Sequence, residues 1–315
     1  MQRYALLLGS NGGPRADSHL KCAESDVDKV HNWLLSNPFW VEENIWLPRE
    51  EPHRQHKSAY GTGASLPQAR TEIAKATKRL TRKDFLFVYF AGHAISDKGD
   101  LYLMLANSLD DDPRSCLPAH ELIDPFLVHG RARCILVVLD CCFAGMATRY
   151  AFARWVKSIE SRLAQFTAAQ APEQSDPGRA LLAACAADQF AFEPLDEIES
   201  SSYFTEAFLA GCDGGSGPLA SPSPINENGV VTAGSLHDYL VEALKKRQAP
   251  QRAITGESIA IRSSHDWRLQ RGQPGYRPPE STMLPEGEGI KMPITNVTPT
   301  RVWAHPQGTN KQSTR

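Results

Sequence analysis

The chain has 315 residues and a mass of 34.7 kDa, the size of one large α/β domain with an appendage or of two modest domains. Thirty-four basic against 36 acidic side chains leave a net charge of -2, without the basic excess that a nucleic-acid binder relying on phosphate neutralisation needs. Apolar residues at 41% and charged residues at 22% are ordinary globular usage, which excludes disorder over the whole chain.

Apolar runs and helical patterns alternate from the start. Tyr4 to Leu8 reads as a buried strand running into the loop Gly9-Ser-Asn-Gly-Gly. Ala23, Val27, Val30 and Leu34 share one face of a helix. Asn44 to Leu47 is a short strand closed by Pro48, and 49–63 a polar loop. Pro67 opens a second helix, with Ala69, Ile73, Ala76 and Leu80 on one side. Phe85 to Phe90 is a fully apolar strand, and Leu101 to Ala106 a shorter one after the turn Asp97-Lys98-Gly99. A third helix runs from Pro118 to about Val128, and Ile135 to Leu139 is the most β-like run in the chain. A helix over 150–169, a polar break and a strand over 180–186 follow. Helices at 203–211 and 235–246 and a last strand at 258–261 complete the pattern.

Strand and helix in alternation, with both strand faces apolar, predict an α/β fold whose mainly parallel sheet is covered by helices. The longest apolar runs are strand-sized, far short of a membrane span. The amino-terminal apolar stretch is too short for a signal peptide, so a cytoplasmic protein that engages no membrane is expected. From His265 onward seven prolines, five glycines and no periodicity read as an extended tail, 265–315. Seven cysteines without paired Cys-x-x-Cys motifs point to reduced thiols rather than a disulfide scaffold or a zinc site.

In open parallel sheets ligands bind beyond the carboxyl ends of the strands, and two strands here end in reactive side chains. One runs into Ala91-Gly92-His93-Ala94, the other into Asp140-Cys141-Cys142-Phe143-Ala144-Gly145. His93 precedes Cys142 by 49 residues, the histidine-to-cysteine spacing of caspases. Along an extended chain Cys141 alternates to the face opposite Cys142 and is expected to be buried.

Cys22-Ala-Glu-Ser-Asp26, Tyr-Phe-Ala-Gly-His, Asp-Cys-Cys-Phe-Ala-Gly, Ala-Cys-Ala-Ala-Asp188-Gln189, the Tyr203 helix and the stretch from Gly229 to Leu240 occur in this order. Together they resemble the caspase–metacaspase superfamily (clan CD, peptidase C14-like), specifically its prokaryotic caspase-like cysteine peptidases. The resemblance implies a caspase-like fold with a six-stranded sheet flanked by helices on both faces. It implies a peptidase domain over 1–264, large-subunit-like over 1–170 and small-subunit-like over 178–264. It further implies a cysteine endopeptidase with Cys142 as nucleophile, His93 as base, and the backbone N–H groups of Ala94 and Cys142 as oxyanion hole. Ala94 stands where the family usually has glycine. Asp140 and Asp26 would line a pocket for a substrate arginine or lysine, since a guanidinium satisfies two facing carboxylates.

A protein or peptide substrate, a regulatory protein partner and a part in stress or antiviral defence are implied by the same resemblance, which leaves the oligomeric state open. No cofactor is expected. Asp110-Asp111-Asp112 reads as a solvated acidic turn, with calcium binding as the alternative. A catalytically inactive caspase-fold scaffold is the alternative function, favoured by Ala94. A phosphate-binding role for Gly9-Ser-Asn-Gly-Gly is the weakest, because the spacing and lysine of a P-loop are missing. Self-cleavage is expected in the connection after Cys142, with Arg179 as its most accessible basic residue.

Overall fold

A computed structural model describes residues 2–13, 19–49, 63–109, 112–147, 150, 178–186, 188–191, 193–194, 201–215, 224–225, 231–246 and 254–257. Its main sheet has six strands in the order β2-β1-β3-β7-β8-β9. These are β1 (Arg3–Ser10), β2 (Ile45–Trp46), β3 (Phe85–Gly92), β7 (Cys134–Asp140), β8 (Gly178–Ala183) and β9 (Ile254–Glu257). All neighbours pair in parallel except β8 and β9, which are antiparallel.

The side chains of β1, β3 and β7 are buried on both faces, which is why these strands read as unbroken apolar runs rather than alternations. Ala5, Leu7, Phe87, Tyr89, Leu136 and Val138 face one layer, containing α1 (Ala23–Leu35), α4 (Tyr203–Cys212) and α5 (Ala233–Lys246). Leu6, Leu8, Val88, Phe90, Val137 and Leu139 face the other, containing α2 (Leu66–Arg79) and α3 (Ala119–Ile123). The side-chain period of two along each strand decides which helix layer every strand residue meets. It places Cys141 with the α2/α3 core, buried as expected.

Helix α2 starts at a capping box between Ser65 and Gln68, with Pro67 in its first turn. Helix α3 continues as a π-turn over Asp124–Val128, where Pro125 has no N–H to donate to the turn before it. The third predicted helix is thus one helical run of two geometries.

A small antiparallel sheet was not anticipated. It consists of β4 (Ala94–Asp97), β5 (Asp100–Leu103) and β6 (Leu117–Pro118). Lys98 and Gly99, at φ 50 and 89°, form the two-residue hairpin turn between β4 and β5. Strand β4 is short and only half-buried, so no apolar alternation announces it. The last strand lies at Ile254–Glu257, just before the predicted stretch; Ser258 to Ile261, the predicted tail and all of the 150–169 helix except Tyr150 fall outside the described residues.

The self-cleavage expectation at Arg179 is corrected. Arg179 lies inside β8 at 6% exposure. Its guanidinium donates to the carbonyls of Ala132 (2.9 Å), Gly178 (3.0 Å) and Gly130 (2.7 Å). A protease needs an extended, accessible segment, and this residue is neither accessible nor free to leave the sheet.

Candidate active site

The carboxyl ends of β3 and β7 open into a cleft of about 430 Å³ whose lining includes Asp26, His93, Asp140, Cys142, Ala191 and Glu193. Parallel pairing of Ala91 with Asp140 sets the two strand ends side by side, so His93 and Cys142, remote in sequence, emerge on one rim. Gly92, at φ 157° with the Ser10 carbonyl where a Cβ would press, turns the chain from β3 into β4 and brings His93 out of the sheet.

The hairpin register fixes the backbone beyond it. Met104 N–H donates to the His93 carbonyl at 3.0 Å, and Ala94 lies opposite Leu103. Bonded and non-bonded pairs alternate along an antiparallel ladder. Ala94 therefore belongs to a non-bonded pair, with its N–H turned away from β5. Its backbone is that of a strand and shows no left-handed φ.

Cys142 is half-buried at the turn leaving β7. The turn is tied down by Phe143 N–H on the Gln189 carbonyl and Gly145 N–H on the Cys185 carbonyl, both at 2.9 Å. Phe143 holds φ 58°, rare for a bulky residue, with its ring against that of Phe190 at 5.1 Å between centroids. The Cys142 thiol points at the Ala191 carbonyl, 3.9 Å away, and burial pushes it above the ordinary thiol range.

Period two turns Asp140 toward α1 and α4. Its Oδ2 accepts the Ser202 hydroxyl and, at 2.7 Å, the Thr205 hydroxyl. Thr205 in turn accepts the Tyr89 hydroxyl, since its own proton is already directed at Asp140. Ser202 also caps α4 by accepting Thr205 N–H at 2.9 Å, and its N–H donates to Asp26 Oδ2 at 3.0 Å. Asp26 reaches the cleft because Gly9 lets α1 lie against β1; a Cβ there would sit 2.4 Å from Val27.

Asp26 is fully buried, Asp140 is 5% exposed, and Asp26 Oδ1 has no hydrogen-bond partner. Burial, then the charge of Asp140, raises the Asp26 carboxyl to about 7. Burial raises Asp140 to about 6 against its two hydroxyl donors, with Glu193 adding to the rise. Glu193 accepts the N–H groups of Lys21 (2.9 Å) and Cys22 (3.0 Å) at the start of α1, a helix end that favours an anion.

Every predicted site residue thus meets at one cleft: His93, Cys142, Asp140 and Asp26 line it, and Ala94 adjoins it. Sequence reading missed Glu193, Ala191, Ser202 and Thr205. Only Ser202, a helix-capping residue type just before a helix, carries a local signal. The Gly9 loop serves α1 rather than a phosphate: Asn11 N–H donates to Glu24 at 3.2 Å, and Gly12 N–H to Ser10 at 3.1 Å. Asp112 directs its carboxylate to Arg114; Asp110 and Asp111 lie outside the described residues. Among the described residues no group of His, Cys, Asp and Glu is arranged to hold a metal ion, and no helix is long and apolar enough to cross a membrane.

A six-stranded, mainly parallel sheet between helix layers, with cysteine and histidine at adjoining strand ends, is the architecture of a caspase-like α/β protein. The sequence profile of the caspase domain, Peptidase C14, matches residues 2–222, and the chain belongs to that family of cysteine peptidases. A protein named as a probable protease from a Desulfuromonadales bacterium is 33% identical over 102 residues. That match covers 30% of this chain and 12% of the relative's length. The crystal structure of protein GSU0716 from Geobacter sulfurreducens aligns over 87% of this chain and 98% of its own, with TM-score 0.49 and 16% identity.

Proposed function

We propose that the chain is a cysteine endopeptidase that cuts protein substrates after arginine or lysine. The observation that carries the specificity is the buried Asp26–Asp140 pair beside Cys142, with the unpartnered Asp26 Oδ1 in a cleft-lining residue. Two carboxylates bridged by one serine call for a cation, and a guanidinium presents enough donors to reach both.

In this reading His93 takes the proton of the Cys142 thiol, and the thiolate attacks the carbonyl carbon of the substrate basic residue. The oxyanion is received by the N–H groups of Cys142 and Ala94. His93 returns the proton to the leaving amine, and water then hydrolyses the thioester with His93 again as base. The ladder register supports Ala94 in this role, because its N–H is not committed to β5. The unstrained strand backbone of Ala94 supports an active site over an inactive scaffold.

Side chains and backbone suffice for each step, so no cofactor is assigned; the acidic turn at 110–112 makes calcium the ion worth testing. We place the enzyme in the cytoplasm as a regulated effector of stress or antiviral defence, acting on a protein substrate under a regulatory protein partner. The test is a fluorogenic peptide panel with arginine, lysine, citrulline or aspartate before the cut, with and without calcium. Hydrolysis confined to arginine and lysine is expected, and preference for aspartate refutes the assignment.

A further inference from the structure

Before a substrate cation arrives, the pocket poses a charge problem. Asp26 and Asp140 are buried together and joined through Ser202, whose N–H binds one and whose hydroxyl binds the other. Two unneutralised carboxylates so placed repel each other at low dielectric. The surroundings relieve them only in part. On α1, Lys29 acts on Asp26 from a distance, its ammonium donating to the Ser201 hydroxyl at 2.9 Å. Glu193 adds negative charge to Asp140 and is itself held at the start of α1. Strand β3 contributes the neutral Tyr89 hydroxyl and, at its end, His93; the ends of β7 and β8 contribute the Cys141, Cys142 and Cys185 thiols. The start of α4 presents the neutral hydroxyls of Ser202 and Thr205 to Asp140, and the Ser201 hydroxyl, which accepts from Lys29, acts on Asp26.

We propose that the substrate-free pocket holds a proton on the Asp26–Asp140 pair as its counter-ion, and that the arginine or lysine side chain of a substrate expels this proton to solvent on binding. This rests on the basic-pocket reading above and adds a regulatory property to it. Substrate capture becomes coupled to pH, because the incoming cation replaces a proton rather than filling a vacant anionic site. Asp26, whose Oδ1 lacks a partner and whose carboxyl is raised the further of the two, to about 7, is the principal carrier.

The experiment is calorimetric titration of Cys142→Ala, which prevents turnover and leaves both carboxylates in place. The probes are an arginine-terminated tetrapeptide amide and its citrulline counterpart, which has the same shape without the charge. Comparing buffers of different ionisation enthalpy counts the protons released per peptide bound. The arginine peptide should release close to one proton at pH 6.5 and few at pH 8.5. Its affinity should be about tenfold lower at pH 6 than at pH 8, whereas the citrulline peptide should show neither effect.

Adding Asp26→Asn should weaken arginine binding and abolish most of the release; Asp140→Asn provides the same reading if the first variant does not fold. Arginine binding without proton release would overturn the counter-ion proposal and leave the basic pocket standing. Unchanged release in Asp26→Asn would likewise overturn it, by placing the proton elsewhere. Arginine binding no tighter than citrulline would remove the basic pocket, and the proposal with it.

Discussion

Replacing Asp26 by asparagine should stabilise the fold above neutral pH while disabling cleavage after basic residues. The folded state raises this carboxyl from 3.8 to about 7 and so binds its proton more tightly than the unfolded chain does. The stability contributed by the protonated group is full below about pH 4 and is lost as pH rises through about 7. At roughly 1.4 kcal/mol per pH unit, the loss reaches about 4 kcal/mol by pH 8.

Asparagine never ionises, and its oxygen still accepts the Ser202 N–H. Its amide nitrogen, however, must find an acceptor where Asp26 Oδ1 has no partner, at a cost of about 1–3 kcal/mol. The balance is a gain of roughly 1–3 kcal/mol at pH 8, or a rise in Tm of about 2–10 °C. At pH 5 the loss from the raised carboxyl is only roughly 1.5 kcal/mol, so the gain should vanish or turn into a small loss. Thermal unfolding of both proteins at the two pH values measures this directly. A variant that is destabilised equally at pH 5 and pH 8 would refute the reasoning, because it would mean that Asp26 is ionised and well paired in the resting protein. On an arginine peptide kcat/KM should fall by tens- to thousands-fold, the consequence of removing one member of a desolvated charge pair at about 2–5 kcal/mol.

Cys142→Ala and His93→Ala should each abolish peptide hydrolysis, and together cost little more than either alone, because nucleophile and base act as a unit. Cys141→Ala, a change in the α2/α3 core, should leave most activity; a dead Cys141 variant with active Cys142→Ala would overturn the nucleophile assignment. Asp140→Asn should lower arginine cleavage by a similar tens- to thousands-fold, and undiminished arginine cleavage would count against the pocket. Arg179→Ala should lose about 2–4 kcal/mol of stability in urea unfolding, since three carbonyls lose a charged donor at once. Mass spectrometry of folded wild type against Cys142→Ala should show no cut at Arg179, and a cut there would contradict the buried strand.

The amino-acid sequence by itself determined the layered α/β architecture, the strands β1, β3 and β7, and the emergence of His93 and Cys142 at strand ends. The physical reason is that these features are local. A fully apolar run of six to eight residues must be buried on both faces, and a strand's last residue faces the rim wherever the strand sits. Alternation likewise sends Cys141 to the face opposite Cys142 and into the core.

Tertiary structure alone decided what each site residue touches. Asp140 is satisfied by Ser202 and Thr205, 62 and 65 residues later, and the chain entering α1 is held by Glu193 from 172 residues away. No periodicity records such partners, because side chains from separate elements meet only once the sheet has set their spacing. The same is true of Arg179, whose polar character suggested an exposed loop. Strand β8 instead draws it inward to three backbone carbonyls at the base of the sheet, where burial is favourable only because all three bonds form together.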